Sequence, residues 1–539
     1  MRLEEHFVPP ASNLMNDYIN GQGTIGSYFS YAPTLENLQK RFDRLAAHDV
    51  DREALSKVIR GYMEPFGLSA ASKTHLQNLE EGAPVVVTGQ QAGLLTGPLY
   101  TVHKAISVIV LARQASEELQ RKVVPVFWVA GEDHDLAEIS HLYREVNGRI
   151  DKLNFPHAEY GKNSASSAHL NKVRIHSYLE EYFRSLPETV HSKELHQLVF
   201  GFLDDSDSFT DFFSSFLNHF FKEEGLLFID AASEELRKLE SPHFVRMIEQ
   251  ADEIAASVRE TEQRLIGEGY AGTIEAQEDA AHLFITVKGE RVLLQRHEGR
   301  FIGNDGAVSF TMEEMLEIAR DQPELLSNNV VTRPIMQELV FPVLAFVGGP
   351  GEIAYWAAFK GAFAALKLEM PIVMPRLGMT LVNRQVQTLL GKYGLTFHDV
   401  VNDDKVEALR HDLLESIREK EAEALIESLA CKIESEYEEI STRFSAISGG
   451  LTPIVEKNRE YHLKQLTYLR NKLEDEVLLQ NSVQINHFDA IENELVPADS
   501  LQERIYNPFP YLNEFGPELI KELTSLPFTY DKNHKIIYL

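Results

Sequence analysis

Five short apolar runs punctuate the chain, and each ends in a turn of glycine, proline or acidic residues. Val85-Val86-Val87 leads into Thr88-Gly89, Val123 through Ala130 into Gly131-Glu132-Asp133, and Leu226-Leu227-Phe228-Ile229 into Asp230. Phe341 through Val347 ends at Gly348-Gly349, and Pro371-Ile372-Val373-Met374 ends at Pro375-Arg376. Apolar runs of this length without alternation predict strands buried on both faces, as in a parallel sheet. Helical periodicity follows most of them. The pattern therefore predicts repeated βα units and a doubly wound, Rossmann-type α/β core.

The spacing of the runs is uneven. About ninety residues separate the second run from the third, and a similar length the third from the fourth, far more than an ordinary crossover needs. This spacing implies two insertions. The first, 140–224, carries helical pattern and charge. The second, 267–332, contains Leu283-Phe284-Ile285-Thr286-Val287, a Lys288-Gly289-Glu290 turn and Val292-Leu293-Leu294-Gln295, which reads as a β-hairpin. The core is then 1–139, 225–266 and 333–400.

Beyond residue 401 the texture changes to crowded charge on a helical period. One helix is predicted over 405–445, a break at Gly449-Gly450, and a second helix over 453–480. In the second, Leu466, Leu469, Leu473 and Val477 stand at near-heptad spacing. Together, 401–495 reads as an antiparallel coiled-coil arm. It either packs on its own core or joins two copies into a homodimer, and the dimer is the expectation. The last segment, 496–539, is expected to return to the core.

Charge narrows the partners. Against 52 Lys and Arg stand 82 Asp and Glu, a formal net charge of −30 over 539 residues. A chain so acidic is repelled by nucleic acid and by anionic membrane, although a local basic pocket can still hold a small anion. The single cysteine, Cys431, excludes an internal disulfide and zinc sites of the CxxC type; in the arm it reads as a passive small side chain. The first ten residues lack the basic and apolar regions of a signal peptide, and no run reaches a membrane span. A cytoplasmic protein is expected.

Three strand ends carry candidate chemistry. After the first strand come Gly89-Gln90-Gln91, Gly93 and Thr96-Gly97, then a helix from Leu99 with His103 and Lys104. Glycines let backbone approach a ligand, and a helix start offers N–H groups to phosphate; the bland alternative is a tight turn that uses its glycines for sterics alone. Tyr100-Thr101-Val102-His103 stands where class I aminoacyl-tRNA synthetases carry His-x-Gly-His, with only His103 matching. After the second strand, Glu132, Asp133, His134 and Asp135 gather at a sheet's carboxyl edge, where open α/β sheets bind ligands. They suit an amine, a sugar hydroxyl or a metal, and carboxylate crowding, with Glu138 included, predicts a raised pKa for His134. A solvated helix start is the bland reading. The spacing of Glu132, His134, Asp135 and His141 matches no zinc pattern, so no metal is expected as a ligand.

After the fourth strand, Gly348-Gly349-Pro350-Gly351-Glu352 opens another helix, with Tyr355 and Arg333 nearby; Trp356 reads as core. Arg376 closes the fifth strand, where synthetases place a lysine-rich loop, but no lysine is present. Late in the chain Tyr506 and Asn507 dock the C-terminus on the core or, alternatively, border a second ligand site.

Thr88-Gly89-Gln90-Gln91 with Thr96-Gly97-Pro98-Leu99-Tyr100-Thr101, followed by Trp128-Val129-Ala130-Gly131-Glu132-Asp133-His134-Asp135, resembles the cysteine-adding enzymes of bacillithiol biosynthesis, the BshC family, in its Bacillus form. The resemblance spans the whole chain. It implies a class I synthetase-like core and a ligase that joins cysteine by an amide bond to the amine of glucosaminyl-malate. It implies ATP or another adenine nucleotide as activator, with Mg accompanying the nucleotide. Under that reading Gly89, Gln90, Gln91, Thr96, Gly97, Lys104, Gly348 and Gly349 hold the nucleotide phosphates, and His103 joins Lys104 in stabilising them. Glu132, Asp133 or Asp135 binds the ammonium and His134 takes the proton. Arg333 or Arg376 meets the malate carboxylates, with Glu352 and Tyr355 beside them. Two other classes stay open from the residues themselves: a metal-dependent nucleotide-sugar or sugar-phosphate transferase or hydrolase, and a nucleotide-sensing scaffold that works through the arm.

Overall fold

The five apolar runs all become strands of one parallel sheet in the computed structural model, which describes residues 1–10 and 12–539. They are β1 (Val85–Gln90), β2 (Val124–Val129), β3 (Leu227–Asp230), β4 (Val343–Gly348) and β5 (Ile372–Pro375). Their order across the sheet is 3-2-1-4-5, and every neighbouring pair is parallel. The chain therefore runs outward from β1 in one direction and then crosses to β4 on the other side. The reversal opens a crevice outside the carboxyl ends of β1 and β4, where doubly wound sheets bind ligands.

Four helices bring residues to that crevice or beneath it: α1 (Leu99–Leu119), α2 (Glu234–Glu249), α3 (Thr332–Val340) and α4 (Pro350–Trp356). All six residues of β2 are buried, and α1 buries most of its length, because it crosses a sheet covered on both faces. Trp356 belongs to this core, as its sequence context predicts. Its ring stacks on Phe346 with centroids 4.6 Å apart.

Between β2 and β3 the insertion contains the anticipated helices, Lys172–Phe183, Ser192–Asp205 and Phe209–Phe221. It also contains a two-stranded hairpin, His141–Val146 with Arg149–Asn154, that helical pattern does not predict. Its turn is Asn147-Gly148, both at positive φ, the strongest short-range hairpin signal in a sequence. Between β3 and β4 the anticipated hairpin is the centre of a five-stranded antiparallel sheet. Its order is Val308–Phe310, Arg300–Gly303, Glu290–His297, Ala280–Val287, Leu326–Asn328. The chain ends meet in a third sheet, where Arg2–His6 and Met379–Val382 flank His534–Tyr538.

The chain divides into two compact units, 1–381 with 500–539, and 382–499. The second unit begins before 401 because helix Arg384–Tyr393 packs on Ser482–Leu495, with the Tyr393 and Phe488 rings 4.9 Å apart. The helix predicted over 405–445 is broken at Arg418, whose backbone is extended, into Lys405–Ile417 and Lys420–Ile447. The first piece is tied to Ser482–Leu495 by Arg410, which reaches Asp489 and Glu492. The second pairs with Thr452–Gln480 across a turn at Gly449–Leu451. On that partner Leu466, Leu473 and Val477 are half-buried, but Leu469 points outward and is exposed. Among the described residues no helix is long and apolar enough to cross a membrane.

Candidate active site

A cavity of about 650 Å³ opens at the reversal point of the sheet. Its floor is the carboxyl ends of the strands: Gly89 to Gln91 at the end of β1, Glu132 to His134 after β2, Gly349 to Glu352 at the start of α4, and Arg376 after β5. The antiparallel sheet of the second insertion forms one wall with Phe284 and Arg291. The segment after residue 500 supplies Arg504 at the rim. Three strand-end motifs far apart in sequence thus converge, because every parallel strand delivers its following turn to the same edge.

The residues expected to cradle phosphate divide: Gly89, Gln90, Gln91 and Lys104 line the cavity, whereas Thr96, Gly97 and His103 do not. Lys104 is buried and donates to Gly89 O and Gln90 Oε1, each at 2.8 Å, and pairs with Glu352. His103 is fully buried, and its Nδ1 faces Glu503 at 2.9 Å. The first N–H of α1, that of Leu99, donates to Tyr506 O at 2.7 Å. Thr96 is buried outside the cavity lining, and Gly97, at φ 69°, lies where a Cβ on Gly93 would collide with its Cα. Gly89 similarly lets β1 approach Trp128 on β2, since a Cβ there would sit 2.7 Å from Trp128 O. Gly89 and Gly93 thus permit close backbone approach within the fold, and the returning C-terminus takes up the first N–H of the helix. Tyr506 and Asn507 take part in the same docking. Both are buried, Asn507 Nδ2 donates to Tyr182 Oη at 2.8 Å, and neither is among the residues lining this cavity.

The acidic motif after β2 is likewise divided. Glu132 is buried and bound by Arg237 and by the Asn328 N–H. Asp133 accepts from Gln91 Nε2 at 2.7 Å and from the Asp135 N–H at 3.2 Å. Burial alone would raise its carboxyl, but these bonds and the Arg291 charge outweigh it and hold it below its usual value. Asp135 is exposed, caps the short helix Leu136–Ile139 and does not line the cavity. His141 is turned to Ala137 O. Among the described residues no group of three His, Cys, Asp or Glu side chains is arranged to hold a metal. The four-residue set Glu132, His134, Asp135 and His141 therefore does not converge.

His134 reverses the expected shift. Burial, and next the Arg291 guanidinium 3.4 Å from Nδ1, lower its pKa more than Asp133 and Asp135 raise it. In the neutral ring Nδ1 accepts from Arg291 and Nε2 carries the proton, so His134 presents the cavity with a donor.

The cations are the other half of the site. Arg333 is tied to Tyr355 Oη at 2.9 Å and has no ion-pair partner among the described residues. Arg291 stacks on the Phe284 ring at 3.8 Å, donates to Ser327 Oγ at 2.9 Å, and reaches Asp133 only at 3.9 Å. Arg504 is exposed, and its guanidinium has no hydrogen-bond or ion-pair partner among the described residues. Arg376, by contrast, is committed: its two nitrogens fork onto Glu503 at 2.6 and 2.7 Å, so it is not free for a substrate carboxylate. Glu352 caps the Gly349 N–H at 2.8 Å, and Gly348 lies in the packing of that turn beside Phe346. Arg291, Arg504, Arg237 and Glu503 carry no signal in the sequence. The hairpin pattern around 288–290 points near Arg291, and the Tyr506-Asn507 segment lies just after Glu503 and Arg504, but neither marks these charged groups themselves.

Residues 1–377 match the family described as the N-terminal Rossmann-like domain of bacillithiol biosynthesis BshC, and residues 379–539 its C-terminal coiled-coil domain. The protein of Lysinibacillus sphaericus (strain C3-41) named "Putative cysteine ligase BshC" is 44% identical over 539 residues, covering 100% of both chains. Proteins of the same name from Geobacillus kaustophilus (strain HTA426) and Bacillus cereus (strain G9842) are 38% and 37% identical, again over 100% of each chain.

Proposed function

The chain belongs to the BshC family of bacillithiol biosynthesis, and from that premise we propose that it is a cytoplasmic ligase joining the cysteine carboxyl to the amine of glucosaminyl-malate. The observation that carries the acceptor is the cluster of guanidiniums in the cavity. Among the described residues Arg333 and Arg504 form no ion pair with a carboxylate, and Arg291 reaches Asp133 only at 3.9 Å. Three cations at one mouth suit a ligand with two carboxylates, which arginine binds through paired N–H groups. The cavity volume is of the size that holds a small polar metabolite.

In the bond-forming step the amine nitrogen attacks the activated carboxyl carbon, the activating group leaves that carbon, and the nitrogen gives up a proton. A substrate carboxylate that takes Arg291 releases Nδ1 of His134. The ring, kept neutral by burial and by that same cation, then accepts the proton. Tyr355 and Glu352 border the same space, and Gln91 holds Asp133 in place.

A free carboxylate acylates an amine only after activation, and an adenine nucleotide, with Mg, is our proposal for the activator on chemical grounds. The residues at 96–104 do not fit its phosphates: the α1 N-terminus is bonded to Tyr506, and Lys104 and His103 are engaged by Glu352 and Glu503. The arm leaves Leu425, Phe444, Ile447 and Ile454 exposed, and we propose that a second copy covers them.

Reconstitution tests the reading. Purified protein with cysteine, glucosaminyl-malate and ATP is expected to yield the amide by mass spectrometry, with AMP or ADP formed in equal amount. His134→Ala is expected to lose about 100-fold in kcat. Amide formation without nucleotide turnover removes the activator from the proposal, and absence of amide sinks the ligase reading.

A further inference from the structure

Beneath the cavity floor Arg237 of α2 lies between two carboxylates, Glu132 and Glu240. The three side chains are 2%, 6% and 0% exposed. Arg237 Nη1 donates to Glu240 Oε2 at 2.6 Å, and Nη2 donates to Glu132 Oε2. The Asn328 N–H reaches that same Glu132 oxygen at 3.3 Å. Both bonds fall on Oε2, so Oε1 of this cavity-lining residue is committed to neither.

The arrangement is a tether in series. Glu240, one turn along α2, fixes the guanidinium, and the guanidinium fixes Glu132 at the end of β2. The Arg237 guanidinium is further held over the Phe244 ring at 5.6 Å. Buried ion clusters contribute little net stability relative to apolar packing, so the consequence of this one lies in what it orients. A carboxylate is an acceptor only, and in a poorly hydrated site the donor that satisfies it best is a charged N–H. The other charged groups acting on Glu132 are Asp230 at the end of β3, Arg291 from the inserted sheet and Arg333 from α3. None of these supplies a donor to Oε1.

We propose that Arg237, anchored by Glu240, is a positioning residue that presents Oε1 of Glu132 to the primary ammonium of a substrate. The inference rests on the ligase reading, whose two substrates both carry such a group.

Calorimetric binding to the full chain tests it with two matched pairs: glucosaminyl-malate against its N-acetyl form, and cysteine against N-acetylcysteine. The wild-type protein is expected to prefer the free amine at least tenfold in one pair. Glu132→Gln and Arg237→Gln are expected to abolish that preference while affinity for the acetylated partner changes less than twofold. Arg237→Lys is expected to restore most of it. The pair whose ratio collapses identifies the source of the ammonium. Should Arg237→Gln fail to fold, Glu240→Gln, nearly isosteric, is expected to lower the ratio severalfold with an unchanged melting temperature. Survival of the ratio in these variants, or an equal fall for amine and acetyl forms, would show that Arg237 only packs and overturn the proposal. Failure of the ligase reading looks different: the wild-type protein then binds neither pair and makes no amide, which overturns both.

Discussion

Arg333 and Arg376 have the same side chain, line the same cavity and yet have different availability. Arg376 is consumed by a buried two-point bond to Glu503, which also accepts from the Met379 N–H at 3.1 Å and faces His103. Among the described residues the Arg333 guanidinium is hydrogen-bonded only to a tyrosine hydroxyl, which leaves its charge for a ligand. Charge-assisted hydrogen bonds of this kind are worth about 1.5–3 kcal/mol each. Arg333→Met is therefore expected to raise KM for glucosaminyl-malate roughly 10- to 100-fold while KM for cysteine stays within a factor of about three. An unchanged acceptor KM in steady-state kinetics would exclude Arg333 from carboxylate recognition. His134 shows the same lesson in its pKa. Its neighbours in sequence are acids, but its decisive neighbour in space is Arg291, 157 residues away.

At the scale of elements, α1 shows how one helix can look like a phosphate site and not be one. Its glycine-rich approach and free first turn are local features that the sequence displays. The Tyr506 carbonyl that occupies that turn arrives from the other end of the chain. The arm poses the opposite problem. Helix Lys420–Ile447 buries no residue in the chain as it stands, and an isolated helix with so little packing is marginal in water. Leu425 is 72% exposed and Ile447 76%. If a second copy covers this face, Leu425→Glu with Phe444→Glu is expected to turn a dimer into a monomer in analytical ultracentrifugation. A wild-type monomer at micromolar concentration would reject the proposed dimer outright.

For the molecule as a whole, the C-terminal strand His534–Tyr538 is where stability and pH meet. His534 is buried against Thr380, with Nε2 2.8 Å from Oγ1, in the strand that joins Arg2–His6 to Met379–Val382. Burial pushes its pKa down to about 4, whereas an unfolded histidine titrates near 6.5. Between those values the unfolded chain binds a proton that the folded chain refuses. This site therefore contributes full stability above about pH 6.5 and loses it as the pH falls toward 4, by up to about 1.4 kcal/mol per pH unit. His534→Gln is expected to flatten the fall of melting temperature between pH 6.5 and 4. Parallel curves for the two proteins would show that His534 does not titrate on unfolding.

The sheet was legible in the sequence because a strand covered on both faces must be apolar through its central positions, and that requirement is written locally in the apolar runs of β1 to β5. The turns after β1, β2 and β4 were legible for the same reason, since a parallel sheet sends each carboxyl end to one edge. Asn147-Gly148 is an equally local signal, masked by the helical periodicity of the insertion around it. Partners joined across the fold were not legible. Nothing near Glu132 announces Arg237, nothing near Arg376 announces Glu503, and nothing near Gly97 announces Tyr506. Periodicity records whether a side chain is buried. Which charge meets it there depends on chain segments hundreds of residues apart, and only their packing decides which of the candidate groups remain free to act on a substrate.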